Sequence, residues 1–219
     1  MLKMKKTIAI LLSIALLFSL SISAVAVEAY ADEQWESFSA GGSRAIQVEV
    51  GAHHNLVLMN DGTVWAWGWN NFGQLGDGTT EDRLTPTRVI GLYNVVSISG
   101  GSHHSLAMKS DGTIWAWGDN RYGQLGDGTI NANRLQPVQI PGLSDIAEIS
   151  AGNFHSLALG LDGTAWAWGY NWFGQLGDGT QTNRLQPVQI PGLSDIAEIS
   201  AGNTHSLAMG SDGTVWACA

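Results

Sequence analysis

Short runs of alternating apolar and polar residues fill most of this chain, and glycine- or proline-containing turns separate them. In one stretch of about fifty residues, positions 95–99, 104–109, 113–117 and 137–140 show the period-two alternation typical of β-strands. Asp111-Gly112 predicts a tight hairpin turn between the second and third strands, with positive φ values. Pro137 places the fourth strand at a sheet edge, because proline cannot donate to a ladder. The pattern predicts an all-β protein.

The same block of strands recurs along the chain. Its histidines, His54, His104, His155 and His205, are spaced 50, 51 and 50 residues apart, and residues 183–203 repeat residues 133–153 letter for letter. Four antiparallel strands per repeat indicate a β-propeller. We predict blades at about 46–92, 93–143 and 144–193 and a partial blade at 194–219. The propeller would be incomplete, with about 3.75 blades, because Trp216-Ala217-Cys218-Ala219 stands where other repeats read Trp-Ala-Trp-Gly.

Each of the first three repeats carries two tryptophans two positions apart, so both point to one face of their strand. Bulky faces of this kind are expected to fill the joints between stacked blades, and each buried indole contributes on the order of 2–3 kcal/mol. The alternative is that the rings stack against carbohydrate. The residues assigned to the core are Trp65, Trp67, Trp115, Trp117, Trp166, Trp168 and Trp216.

The first 31 residues have the pattern of a secretory signal peptide, with three lysines followed by an apolar run. Cleavage is predicted after Ala31, with Ala26 as the alternative, and residues 32–45 would form a lead-in segment. An uncleaved membrane anchor is less compatible, because the run is shorter than the ~20 residues of a spanning helix. These features predict a secreted protein. The single cysteine, Cys218, is either free or paired between chains.

The net charge of −9 argues against nucleic-acid binding and against association with an anionic membrane. The repeated histidines resemble a metal-ligand set, but equivalent positions in neighbouring blades are ~10 Å apart unless they lie near the axis. We therefore expect them to be structural and to pin the bend between the first two strands. Asp77, Asp127 and Asp178 are expected to support turns, with weak calcium binding as the alternative. We predict no cofactor and, since no nucleophile and base stand out from the repeats, no enzyme activity.

Only a few loop positions vary from repeat to repeat. After each Trp-Gly, the first and third residues change while their neighbours do not. Tryptophan, tyrosine and arginine at loop tips are typical interface anchors, although neutral variation of a solvated loop would give the same pattern. The predicted partner-binding residues are Trp69, Asn71, Asp119, Arg121, Tyr170 and Trp172.

The blocks resemble the regulator of chromosome condensation repeat family, whose repeats carry similar Gly-Gly-x-His, Asp-Gly and Trp-Gly-x-Asn-x-x-Gly-Gln-Leu-Gly motifs. The resemblance covers residues 46–216 and implies a propeller, usually of seven blades. Known activities in such propellers are nucleotide exchange on the GTPase Ran and, in a secreted relative, inhibition of β-lactamases. Fold does not carry function by itself.

We therefore predict a secreted, non-enzymatic module that binds a protein partner through its blade loops. The alternative is a regulator, either an inhibitor of an extracellular enzyme or a guanine-nucleotide exchange factor. A homodimer or a complementing chain would complete the propeller.

Overall fold

The computed structural model describes residues 42–218, which form an all-β structure. The predicted signal peptide and most of the predicted lead-in segment lie outside the described residues. Fifteen strands form three four-stranded sheets and one three-stranded sheet. This confirms the predicted partial propeller of antiparallel blades. The strands are β1 (Ala45–Val50), β2 (His54–Met59), β3 (Val64–Gly68), β4 (Arg83–Arg88), β5 (Val95–Gly100), β6 (His104–Lys109), β7 (Ile114–Gly118), β8 (Arg134–Gln139), β9 (Ile146–Ala151), β10 (His155–Gly160), β11 (Ala165–Gly169), β12 (Arg184–Gln189), β13 (Ile196–Ala201), β14 (Ser206–Gly210) and β15 (Val215–Cys218).

Neighbouring strands within each sheet follow one another along the chain, so each sheet is a simple antiparallel meander. The fourth strand of the second sheet begins at Arg134, three residues earlier than the alternation predicts. Its ladder with β7 pairs Val138 with Ala116 and Arg134 with Gly118, and the register shifts between them. Pro137 falls in this irregular stretch, where a missing N–H removes no regular ladder bond.

The hairpin between the second and third strands of each sheet uses Asp-Gly differently from the expected turn. Gly112 has φ +77°, whereas Asp111 is not in the left-handed region. The Asp111 carboxylate instead accepts hydrogen bonds from the backbone N–H of Thr113 at 3.1 Å and from its hydroxyl at 2.6 Å. Only the glycine therefore requires an unusual backbone conformation.

The hydrophobic core lies in the joints between successive sheets. Leu56 and Leu58 of the first sheet pack with Ile98 and Trp117 of the second in one buried cluster. Equivalent clusters join the second sheet to the third and the third to the fourth. Trp117 and Trp168 have no exposed surface. Burial of each indole contributes on the order of 2–3 kcal/mol, so the repeat places its largest stabilising side chain at the joint.

The remaining predicted core tryptophans are partly buried. Trp115, Trp166 and Trp216 pack at the edges of the three clusters, and Trp65 and Trp67 belong to the first sheet. Between residues 42 and 218, no helix is long and apolar enough to cross a membrane.

Candidate protein-binding face

The repeated histidines connect neighbouring sheets. The Nε2 atom of His54 lies 2.9 Å from the Ser105 hydroxyl of the second sheet, and that hydroxyl donates to the backbone carbonyl of Gln74 at 2.9 Å. Since the serine proton goes to the carbonyl, the serine oxygen accepts from a protonated Nε2. His104 and His155 make the same 2.9 Å contact to the serine of the following sheet. The histidines were expected to fix the bend within a blade, but they instead connect each blade to the next.

Burial keeps these three histidines neutral. Burial, with a smaller contribution from nearby histidines, lowers the pKa of His54 to about 4, of His104 to about 3 and of His155 to about 4. A neutral ring with its proton on Nε2 matches the serine acceptor. His205, at the equivalent position before β14, is exposed. Throughout residues 42–218, no three metal-ligating side chains come together.

The glycine three residues before each histidine leaves room for the ring. A Cβ atom on Gly101 would lie 2.3 Å from Cε1 of His104 and 2.7 Å from the carbonyl oxygen of Gly152 in the next sheet. Gly51 and Gly152 are equally restricted by His54 and His155. The Gly-x-x-His spacing is therefore set by a close approach of two backbones around an imidazole.

The Asp-Gly-Thr loops are closed by internal bonds. Asp77 accepts hydrogen bonds from the backbone N–H and hydroxyl of Thr79 at 2.9 and 2.7 Å, and from Nε of Arg83 at 2.7 Å. Burial alone would raise the pKa of Asp77, but the bonds from Thr79 and Arg83 outweigh it and hold that pKa below its usual value. Asp127 and Asp178 have equivalent threonine and arginine partners. These bonds favour the turn role over calcium binding.

The long loop between the third and fourth strands is locked by a buried asparagine. The side-chain amide of Asn70 donates to the backbone carbonyls of Thr79 and Glu81, and its oxygen accepts from the N–H of Leu75 at 3.0 Å. Asn120 and Asn171 occupy the same position and are also fully buried. The residues on either side of the asparagine are consequently free to vary without altering the loop.

The loops between first and second strands and the loops between third and fourth strands lie at the same end of the sheets, because the strands are antiparallel. Aromatic side chains from both sets form a continuous row, which we call the aromatic strip. Neighbouring ring centroids in it are 4.8 to 6.4 Å apart, within the range of aromatic pairing. The aromatic strip consists of His53, Trp69, Phe72, His103, Tyr122, Phe154, Tyr170 and Phe173.

Arg121 lies at the middle of the aromatic strip. Its guanidinium carbon is 4.6 Å from the ring centroid of Phe72 and 5.8 Å from that of Phe154. Asp119 accepts from its Nε and Nη2 at 3.0 and 2.8 Å. The hydrogen bonds that Arg121 donates to Asp119 raise the pKa of Arg121 above its usual value. A fixed cation on aromatic faces is a rigid, amphipathic contact point.

The predicted partner-binding residues all lie at this end of the sheets, but they differ in exposure and in role. Asn71 and Arg121 are exposed, and Trp172 is 68% exposed. Trp69 and Tyr170 are half-buried members of the strip. Asp119 has no exposed surface, so it acts beneath the face, where it orients Arg121.

Sequence reasoning missed six members of the strip. One signal was available, since the residue before the repeated histidine is a histidine in the first two repeats, His53 and His103, and changes to Phe154 and Thr204 in the next two. That position varies as the loop positions do, and the topology brings the two varying sets together. The missed residues are His53, Phe72, His103, Tyr122, Phe154 and Phe173.

The locked loops, joint histidines and stacked sheets define a repeat propeller, and comparison with known proteins agrees. A sequence model of the RCC1-like domain matches residues 31–219. The chain belongs to the RCC1-like domain family.

Among curated proteins, the ultraviolet-B receptor UVR8 of Arabidopsis thaliana is 35% identical over 152 residues, which are 63% of this chain and 32% of UVR8. The probable E3 ubiquitin-protein ligase HERC4 of Homo sapiens is 48% identical over 141 residues, 63% of this chain and 13% of HERC4. The chain thus spans a third or less of these relatives.

Solved structures give the same fold. The Saccharomyces cerevisiae protein Prp20p, a structure described with its binding properties to Gsp1p and histones, superimposes with a TM-score of 0.73 at 26% identity. The match covers 82% of this chain and 46% of Prp20p. Human WBSCR16 superimposes with a TM-score of 0.72 at 25% identity, covering 80% of this chain and 47% of WBSCR16.

Proposed function

We propose that this chain is a secreted, non-enzymatic interaction module that binds a protein partner through the aromatic strip and the adjoining Trp172. The observation that carries the proposal is the unbroken row of rings with Arg121 at its centre. Tryptophan, tyrosine and arginine are the residues that most often dominate binding energy at protein interfaces. Secretion rests on the basic and apolar pattern of the first 31 residues.

A protein fits this face better than a small molecule or a nucleic acid. The strip takes residues from three successive sheets, so a partner must be long enough to contact several loops at once. The chain carries a net charge of −9, which disfavours a phosphate backbone. The buried Asp119 balances the charge of Arg121 from below, so the guanidinium offers a flat stacking surface more than an excess positive charge.

A comparison of two variants tests the proposal. Trp69→Ala combined with Trp172→Ala removes two rings of the binding face, and Tyr93→Ala removes an aromatic side chain, 59% exposed, at the opposite end of the sheets. Proteins captured from the producing organism's medium are quantified for the wild type and both variants. We expect a partner whose capture falls at least tenfold for the double variant and is unchanged for Tyr93→Ala. Equal capture by all three proteins would contradict the proposal.

A regulator of an enzyme or GTPase is the second candidate, because Prp20p, similar in structure, is described with binding to Gsp1p. Such a regulator would use the same face. Purified protein is assayed for inhibition of β-lactamases and peptidases and for release of nucleotide from small GTPases. An effect that the double variant loses supports regulation. If the wild type has no effect at saturating concentration, this candidate is excluded.

We also propose that the outer side of the fourth sheet packs against another repeat, from a second copy or a complementing chain. Leu207, Met209 and Val215 are 41%, 36% and 62% exposed there. Their equivalents in the second sheet, Leu106 and Ile114 among them, are completely buried by the third. Apolar surface of this kind marks association. Light scattering is expected to show dimers or larger species at micromolar concentration.

A further inference from the structure

The joint between the third and fourth sheets lacks the side chain that fills the other two. In those joints a fully buried indole N–H donates to the backbone carbonyl of a glutamine in the preceding sheet. The distances are 2.8 Å from Trp117 to Gln74 and 2.9 Å from Trp168 to Gln124. Cys218 stands at the equivalent position of the fourth sheet. A thiol replaces an indole there, and most of the ring's volume is vacated.

A cavity of about 220 Å³ occupies this joint. Its walls are mainly apolar and include Leu157, Ile190, Ile199 and Trp216, with Cys218 at one side. This cavity is open to solvent on one side, and enclosed cavities of about 150 Å³ with similar aliphatic walls bind benzene-sized molecules. Burial raises the pKa of the Cys218 thiol, which keeps it uncharged beside these walls.

The hydrogen-bond acceptor that the indoles use elsewhere lies directly behind two residues of the cavity wall, Cys218 and Ser206. The backbone carbonyl of Gln175 accepts from the Cys218 thiol at 3.2 Å and from the Ser206 hydroxyl at 2.7 Å. A thiol is a weak donor, so an N–H group would improve on it. Gly177 corresponds to Gly126, where a Cβ would lie 2.8 Å from Nε1 of Trp168; at Gly177 a Cβ would lie 3.2 Å from the Cys218 sulfur, so the smaller thiol stands in the place of the indole N–H.

We infer that this cavity binds a small planar aromatic heterocycle with an N–H donor, of which indole is the simplest. The ring takes the volume that Trp117 and Trp168 fill in the other joints, and its N–H reaches the Gln175 carbonyl when the Cys218 side chain rotates away from that carbonyl. The site is independent of the aromatic strip and of any protein partner. Its ligand is recognised by apolar burial and one directional bond.

Isothermal titration of the full chain with indole, together with thermal unfolding, tests this site. The control ligand is indene, which has the same shape without the N–H, and the control variant is Cys218→Trp, which restores the missing ring. We expect saturable binding of indole, binding of indene about tenfold weaker, and no indole binding to Cys218→Trp, which should also unfold at a higher temperature than the wild type.

Three results would overturn the inference. If indole does not bind the wild type, the proposed site does not exist. If indole binds Cys218→Trp as tightly as it binds the wild type, it binds elsewhere on the protein. Equal affinity for indole and indene removes the role of the Gln175 carbonyl. Circular dichroism shows whether Cys218→Trp folds; if it does not, Cys218→Phe fills the cavity without an N–H and is expected to abolish binding in the same way.

Discussion

Acidification from pH 7.5 to pH 5 is expected to destabilise the joints through their buried histidines. The folded-state pKa is about 4 for His54 and His155 and about 3 for His104, against an unfolded value near 6.5. The unfolded chain therefore binds more protons, and stability that is complete above pH 6.5 is lost as the pH falls toward 4. At pH 5 the free energy of unfolding is lower by about 2 kcal/mol for each histidine and by about 6 kcal/mol for the three together. That is comparable to the ~5–15 kcal/mol that stabilises a typical domain.

Other groups alter this loss only modestly between pH 6.5 and pH 5. His103 adds to it, because burial, then Arg121 and His53, lower its pKa despite the opposing charge of Asp119. Glu148 opposes it, because burial raises the pKa of that carboxyl group. The loop aspartates such as Asp127 have lowered pKa values, so the stability they confer is lost only below the usual range of a carboxyl group. The three buried joint histidines therefore dominate the change in stability between pH 6.5 and pH 5.

Urea unfolding followed by tryptophan fluorescence at a series of pH values measures the effect. The free energy of unfolding of the wild type should fall by about 4 kcal/mol per pH unit at the steepest point, where three protons are taken up. His104→Gln removes one titrating ring, so its loss between pH 7.5 and pH 5 should be about a third smaller. Stability that stays constant across this window, or an equal loss in the variant, would refute the assignment of neutral joint histidines.

Two further predictions concern one of these joints and the exposed side of the fourth sheet. Gly101→Ala forces a Cβ against the His104 ring and a neighbouring carbonyl and should lower the free energy of unfolding by about 3 kcal/mol in urea titrations. Gly142→Ala, with φ +80° and no atom within 4 Å of the added Cβ, should cost only about 1–2 kcal/mol of backbone strain; equal losses would argue against the close approach. Met209→Lys places a charge on the exposed side of the fourth sheet and should shift the protein toward monomers in light scattering, and an unchanged mass would place association elsewhere.

The fold could be predicted from sequence because repetition multiplies weak signals. A single alternating run such as residues 104–109 is ambiguous, but the same run at a fixed interval, with Asp-Gly after it, specifies a sheet. The direction of Trp117 followed from strand geometry alone, and the structure buries that ring completely. The bulge around Pro137 was missed because its register depends on the neighbouring strand β7.

The site was harder to predict because it joins residues that are distant in sequence. Trp69 and Arg121 were identified by their variation, but His103 was not identified, although its ring lies 5.0 Å from that of Trp69. Their proximity depends on which loops share an end of the sheets and on the stacking of one sheet on the next. Asp119 was grouped with the exposed residues because one-dimensional variation does not distinguish a contact residue from the buried partner that orients it.

The loops that carry the aromatic strip are also parts of the joints. The side-chain oxygen of Gln74 accepts from the backbone N–H of Phe72 at 3.1 Å, while its backbone carbonyl accepts from Trp117 and Ser105 of the next sheet. Farther along the same loop, the N–H of Gly78 donates to a carbonyl of the following sheet's last strand. A ring such as Phe72 is therefore positioned by the sheet that bears it and by the one that follows. Because binding face and joint share these bonds, a change that loosens a joint should also misplace the rings, and partner affinity should fall together with stability as the pH is lowered.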